Sequence, residues 1–216
     1  MIKLIAKINR VVIGLLGMFS AVSMGFAQTD SKMTGANDDT DIVVMELKDG
    51  VVIIQLYPDK APRHVQRIKE LIREKFYDGL TFHRVIPGFM AQTGDPKGNG
   101  TGKSDKPNLG AEFNDIKHVR GVLSMARSTD KDSANSQFFI MLGDAEYLDG
   151  QYTAFGRVLS GMEFVDQVKQ GSKINDGVVD SPDHIISMKL GGNLNQSYTR
   201  ISSQNEGTAT PEPALA

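Results

Sequence analysis

The 216-residue chain contains no cysteine. That one absence excludes disulfides, zinc–cysteine sites and thiol chemistry together. It also lacks an excess of basic charge: 24 Lys and Arg stand against 26 Asp and Glu, for a formal charge of −2. Nucleic-acid binding needs a basic footprint, so no nucleic-acid partner is expected. The four histidines, His64, His83, His118 and His184, show no metal-ligand spacing and form no His-x-x-x-His pair. No serine sits in a Gly-x-Ser-x-Gly elbow. "TDKDSAN" carries Asp130 and Asp132 but lacks the glycine of a calcium loop and has Met141 where its bidentate Glu belongs. No metal and no cofactor is expected.

A complete phosphate-binding loop is missing as well, although "GDPKGNGTGKS" imitates one. With Gly102-Lys103-Ser104 as its end, the Walker pattern needs glycine where the chain has Lys97; the nearest glycine, Gly98, comes one residue late. A true phosphate loop opens a long helix whose N-terminus holds the anion. The following "DKPNLGAEF" instead carries Pro107 and Gly110, which break any helix within two turns. A nucleotide ligand is therefore not expected.

Long apolar runs are confined to the start. "MIKLIAKINR" holds Lys3, Lys7 and Arg10 and no acid, and the 17 residues "VVIGLLGMFSAVSMGFA" then run uncharged to Ala27. A basic start, an apolar middle and a small-x-small finish describe a signal peptide cleaved after Ala27, residues 1–27. An uncleaved membrane anchor is the competing reading, though 17 residues lie at the bottom of the spanning range. Cleavage removes three cations and moves the formal charge from −2 to −5. The expected destination is outside the cytoplasm, most simply a periplasm.

Residues 28–40 are polar and turn-rich, a linker, and 193–216 form a polar tail expected to be disordered. Between them lies one domain, 41–192. "DIVVMEL" and "VVIIQL" flank Asp49-Gly50 and read as a β-hairpin. "APRHVQRIKELIREKFYDG" reads as a helix of about four turns: Pro62 suits its first turn, Val65, Ile68, Ile72 and Phe76 recur at helical spacing, and Asp78-Gly79 stops it. Strands follow at 81–86, 121–126, 137–142, 154–159 and 184–190, with a second helix over "GMEFVDQVKQG". Many strands with two helices do not make βαβ units. The expected fold is mainly β: a closed antiparallel β-barrel with two α-helices covering its ends.

Two places mix polar residues into apolar strands. Arg84 sits inside "FHRVIPGFMAQTGDP" (82–96), and an arginine there needs a partner or a task. Gln137 opens "QFFIML", with Phe139 two residues on and so on the same strand face. At these residues the chain resembles the cyclophilin family of peptidyl-prolyl cis–trans isomerases. "FHRVIPGFMAQTGDP", "NGTG", "GVLSMAR", "SANSQFFI" and "LDGQYTAFGRV" occur in the family order over roughly residues 41–192.

The resemblance implies a barrel of about eight strands and isomerisation of X–Pro bonds without a cofactor. Arg84 matches the family's catalytic arginine, with Gln92 beside it. Phe89, Met90, Phe139 and Leu148 match the walls of the proline pocket. Gln92 and Gln137 match groups that hold the peptide backbone, and Gly100 lies in the glycine loop beside the groove. Ala126, Arg127 and Ser128 stand where the family presents main chain to residues before the proline. Arg127 replaces an asparagine of familiar eukaryotic members, Tyr147 a tryptophan, and Tyr152 a histidine. The family's tryptophan helps bind cyclosporin, so drug sensitivity is left open. The implied partners are X–Pro segments of folding exported polypeptides, served by a monomer. The rival reading is a non-catalytic Pro-peptide-binding module on the same fold; altered Arg84, Phe89 or Gln137 would favour it, and all three are intact.

Overall fold

The computed structural model describes residues 40–191. The expected signal segment (1–27), the linker up to residue 39 and the tail (193–216) lie outside the described residues.

Within them the chain forms β1 (Ile42–Leu47), β2 (Gly50–Leu56), α1 (Pro62–Arg73), β3 (Arg84–Ile86), β4 (Met90–Thr93), β5 (Val122–Met125), β6 (Phe138–Met141), β7 (Ala154–Ser160), α2 (Met162–Asp166) and β8 (Ser187–Leu190). The strands make one antiparallel sheet in the order β3-β4-β6-β5-β7-β2-β1-β8. β1 and β2 are the expected hairpin, with Leu47 opposite Gly50. β4 was not expected as a strand, because "MAQT" is short and two of its four residues are polar.

The helix α1 is 12 residues long, about three turns rather than four. Glu74 caps it, and Lys75 turns left-handed with φ 56°, so Phe76 reaches the core from a turn and not from the helix. Its start is finished from far away in sequence. Ala61 offers no side-chain cap, and the Glu112 carboxylate instead accepts the backbone N–H groups of Arg63 (3.2 Å) and His64 (3.1 Å). An acid at that end also matches the helix dipole. α2 is shorter than expected, five residues, with Val165 buried within it and Val168 buried just beyond its end.

The closed barrel is corrected to an open, curled sheet. Its edge strands, β3 and β8, do not pair with each other. The chain around them meets through isolated bridges, Thr81 with His184 and Arg84 with Val178, and through scattered backbone hydrogen bonds. Gly79 N–H donates to Ile185 (2.8 Å), Phe82 to Asp183 (2.9 Å) and Val85 to Gly177 (2.8 Å). A regular ladder is prevented by Pro182, which has no N–H to give, and by Ser181 with φ 51°.

Burial runs on both faces of the central strands. In β6, Phe138 and Ile140 enter the main core with Val65, Leu71 and Val165 of the helices. Phe139 and Met141 enter a second cluster with Met90, Val122, Leu148 and Ala154. Successive side chains of a strand point to opposite faces, so one four-residue strand serves two cores. Phe138 is fully buried and meets Tyr77 and Phe155 edge to face, with centroids 5.4 and 6.0 Å away. Phe138→Ala should cost about 3–5 kcal/mol, read as a lowered urea midpoint in equilibrium unfolding.

Candidate active site

The second cluster floors the site, and strand register sets its polar row. β3 and β4 are joined through Pro87-Gly88-Phe89, and Arg84 stands opposite Gln92. Gln92 in turn stands opposite Phe139 of β6, and Phe139 opposite Ser124 of β5. Directly opposed residues share a face, so Arg84, Gln92 and Phe139 form one line across three strands.

Along this line the polar groups are bonded in series. Arg84 Nη1 donates to Gln92 Oε1 at 3.2 Å, and Gln92 Nε2 donates to Gln137 Oε1 at 2.8 Å. Gln137 Nε2 then donates to the carbonyls of Gly102 (2.7 Å) and Gly100 (3.1 Å). Each amide presents its oxygen to one neighbour and its nitrogen to the next, so both amides have a defined direction. The other end of the chain is an ion pair that sequence reasoning missed. Arg84 Nη2 lies 2.7 Å from Asp176 Oδ1, and Arg84 Nε donates to the Asp176 carbonyl at 2.8 Å.

The glycine loop is an anion cradle after all, and its anion is internal. The Asp95 carboxylate accepts the N–H groups of Lys97 (2.7 Å), Asn99 (3.1 Å) and Gly100 (2.6 Å). Burial pushes the Asp95 carboxyl up, but the N–H groups of Lys97, Gly102, Asn99 and Gly100 outweigh it and hold the group below its ordinary value. Glycine is required for this closeness: a Cβ at Gly102 would lie 1.9 Å from Asp95 Oδ1, and Gly100 has φ 86°. With Asp95 inside, the loop has no room for a phosphate. Two of its carbonyls face Gln137.

Aromatic rings build the apolar wall. Phe139 meets Tyr152 edge to face at 5.8 Å, and Phe89 lies 6.0 Å from Tyr147 at a tilt of 33°. Met90 and Leu148 are buried beneath them and act as floor more than wall. Tyr147 is 70% exposed, a flap at the rim. Two departures from the eukaryotic pattern turn out to be one feature. The Arg127 guanidinium stacks over the Tyr152 ring at 4.5 Å. It also donates to the Gln151 carbonyl (3.0 and 3.2 Å) and the Ser128 carbonyl (2.8 Å). Ala126 packs against the same cluster, and the Ser128 hydroxyl is tied to Ser133 in an exposed loop.

Beneath Phe139 lies a hydrogen-bonded Ser–His–Asp array that no spacing announced. His118 Nε2 is 3.0 Å from Ser124 Oγ, and its Nδ1 is 3.0 Å from Asp149 Oδ1. Its order matches a hydrolase triad, but its location does not. Ser124 has no exposed surface, and the His118 ring stacks under Phe139 at 6.4 Å. The array props the floor of the pocket.

The cyclophilin type peptidyl-prolyl cis-trans isomerase family model matches residues 42–190. The chain belongs to the cyclophilin family. It is 52% identical over 183 residues to a probable peptidyl-prolyl cis-trans isomerase of Brucella suis, covering 80% of this chain and 91% of the relative. It is 45% identical over 132 residues to peptidyl-prolyl cis-trans isomerase B of Bacillus subtilis, covering 60% and 92%. Among solved structures, a Cryptosporidium parvum cyclophilin crystallised in the presence of the dipeptide Ala-Pro matches with TM-score 0.64 and 25% identity, over 70% of this chain and 99% of that one. Cyclophilin AquaCyp293 of Hirschia baltica matches with TM-score 0.63 and 28% identity, over 72% and 75%. The protein is thus a peptidyl-prolyl cis–trans isomerase, and Arg84, Gln92, Gln137 and the apolar residues around Phe139 lie together on the surface just described.

Asp149 ties this surface to pH. The backbone N–H of His118 is the largest influence on its carboxyl; burial opposes, and the His118 ring and Lys117 assist, pulling it down to about 2. A carboxyl lowered on folding stabilises above its unfolded value near 4 and loses that contribution as pH falls towards the folded value. Between pH 4 and pH 2 the domain should lose roughly 1–2 kcal/mol through this group. Asp149→Asn should flatten that acid limb in unfolding curves taken at successive pH values.

Proposed function

We propose that this cyclophilin turns X–Pro bonds of exported polypeptides, with Arg84 as the catalytic group. The observation that carries the reading is the row Arg84–Gln92–Gln137 laid beside the apolar cluster of Phe89, Met90, Phe139 and Leu148. The apolar part suits a proline ring, and the amides and the Gly100 and Gly102 carbonyls suit the main chain on either side. With both flanks held, rotation is confined to the one bond between them.

Such a site needs no nucleophile. Rotation about a peptide bond crosses about 18–20 kcal/mol, and the X–Pro bond turns over uncatalysed in tens to hundreds of seconds. Reaching milliseconds asks for roughly 10⁴-fold, or about 5.5 kcal/mol. As the bond twists, amide resonance is lost and the lone pair localises on the prolyl nitrogen. A fixed guanidinium that donates to that nitrogen binds the twisted state more tightly than either planar one. Arginine suits the task because it stays charged beside apolar surface and its fork is rigid.

Export rests on the basic and apolar character of residues 1–27 and the small residues that end at Ala27. Among the described residues no helix is long and apolar enough to cross a membrane.

Arg84→Ala should lower kcat/KM on an Ala-Pro tetrapeptide by about 100-fold or more, an oxyanion-donor-sized loss, while the thermal midpoint stays in place. Full activity in that variant would refute Arg84 as the catalytic group. Mass spectrometry of protein expressed from the full chain in a Gram-negative host should find Gln28 as the first residue of the periplasmic fraction. An intact Met1 in the membrane fraction would replace cleavage by anchoring.

A further inference from the structure

Arg84 has more partners than its role in a groove requires, and the strongest comes from an element outside every recognised motif. Of the five guanidinium N–H donors, one on Nη1 goes to Gln92 at 3.2 Å. Two go to a single residue, Asp176, whose carbonyl takes Nε at 2.8 Å and whose carboxylate takes Nη2 at 2.7 Å. The two N–H groups left, one on each terminal nitrogen, are the ones available to a substrate.

The backbone at Asp176 is fixed by its neighbours. It follows the 3-10 turn Lys173–Asn175 and adopts φ 53°, a left-handed conformation that a side-chain-bearing residue takes at a cost. Such conformations persist where surrounding contacts impose them, and they gather at functional sites. The imposing contacts are adjacent. Gly177 N–H donates to the Ser172 carbonyl at 2.8 Å, and the Gly177 carbonyl accepts from Val85 N–H at 2.8 Å. Val85 is the neighbour of Arg84, so one backbone hydrogen bond sets the register of Asp176 against the arginine. The carboxylate is 78% exposed. An ion pair in that setting adds little to stability, so its consequence lies in where it holds the guanidinium.

We propose that Asp176 is a positioning residue: it fixes the Arg84 guanidinium so that its two unbonded N–H groups face the prolyl nitrogen, and it thereby sets turnover and not substrate affinity. The inference rests on the reading of Arg84 as the catalytic group. It assigns a function to the segment before β8 that none of the sequence motifs covers.

The test uses Asp176→Gly, which suits the left-handed backbone, keeps the main-chain carbonyl and deletes the carboxylate, beside Asp176→Asn, which keeps an acceptor oxygen and tolerates the same φ. On an Ala-Pro tetrapeptide, Asp176→Gly should lower kcat by about three- to ten-fold, the size expected for loss of one exposed charge-assisted hydrogen bond. KM should stay within about two-fold, the pattern of an interaction that matters only in the transition state. Asp176→Asn should restore kcat to within about two-fold of the parent. In an Arg84→Lys background, whose ammonium cannot be gripped at two points, Asp176→Gly should have no further effect. The proposal is overturned if Asp176→Gly keeps the parent kcat, if its loss appears in KM, if Asp176→Asn falls equally far, or if the loss persists undiminished in the Arg84→Lys background. The Arg84→Ala measurement separates the two readings: full activity there removes the arginine, whereas a large loss there with no Asp176→Gly effect removes Asp176 alone.

Discussion

A strand has two faces, and the central strands of this sheet bury both; everything at the site depends on that constraint. Phe138 and Ile140 fill the space under the helices, while Phe139 and Met141, on the same four-residue strand, support the groove. A shift of one residue in β6 would exchange the two sets. The core therefore does more than hold the fold together. By pinning Phe138 between Tyr77 and Phe155 it also decides that Phe139 faces Gln92 across β4. Position in the groove is inherited from packing on the opposite side of the same strand.

Charge is handled by the same economy of contacts. Each of three anions near the groove is taken up by defined donors: Asp95 by loop amides, Asp149 by His118, Asp176 by Arg84. Each then performs a mechanical task, closing a loop, propping a floor or orienting a guanidinium. The cation beside the aromatic wall, Arg127, is held by carbonyl oxygens and by the face of Tyr152. What remains open toward a peptide is a row of amides and carbonyls beside an apolar patch. Under the proposed function, that pairing would hold a proline and its flanking main chain rather than the side chains around it.

Much of this was legible from residues alone, because it depends on short-range pattern. Short apolar, β-rich runs such as "VVIIQL" and "QFFIML" marked strands, Asp49-Gly50 marked the hairpin, and Pro62 with the Val65–Ile68–Ile72 spacing marked α1. Arg84 in an apolar strand announced that a charge there needed a partner or a task, and the motif order grouped the pocket residues. Misreadings arose where local pattern was weak or misleading. "MAQT" is too short and too polar to declare itself as β4, and the helix ran past Arg73 on paper because nothing in the spacing foretold the left-handed Lys75. The glycine loop does not fit a phosphate loop, but its spacing gave no sign that it wraps the neighbouring Asp95.

By itself the sequence determined the strand-rich class, the two helices, the residues that could line a proline groove and the need to partner one arginine. All of these follow from periodicity, turn chemistry and the cost of an unpaired charge, which act over a few residues. Tertiary structure decided the rest: that the sheet stays open at β3 and β8, that Ser124, His118 and Asp149 meet under Phe139, and that the partner of Arg84 is Asp176. Arg84 and Asp176 stand 92 positions apart. They meet because register propagates across strands through hydrogen bonds between segments remote in sequence, and no local pattern encodes where those segments will cross.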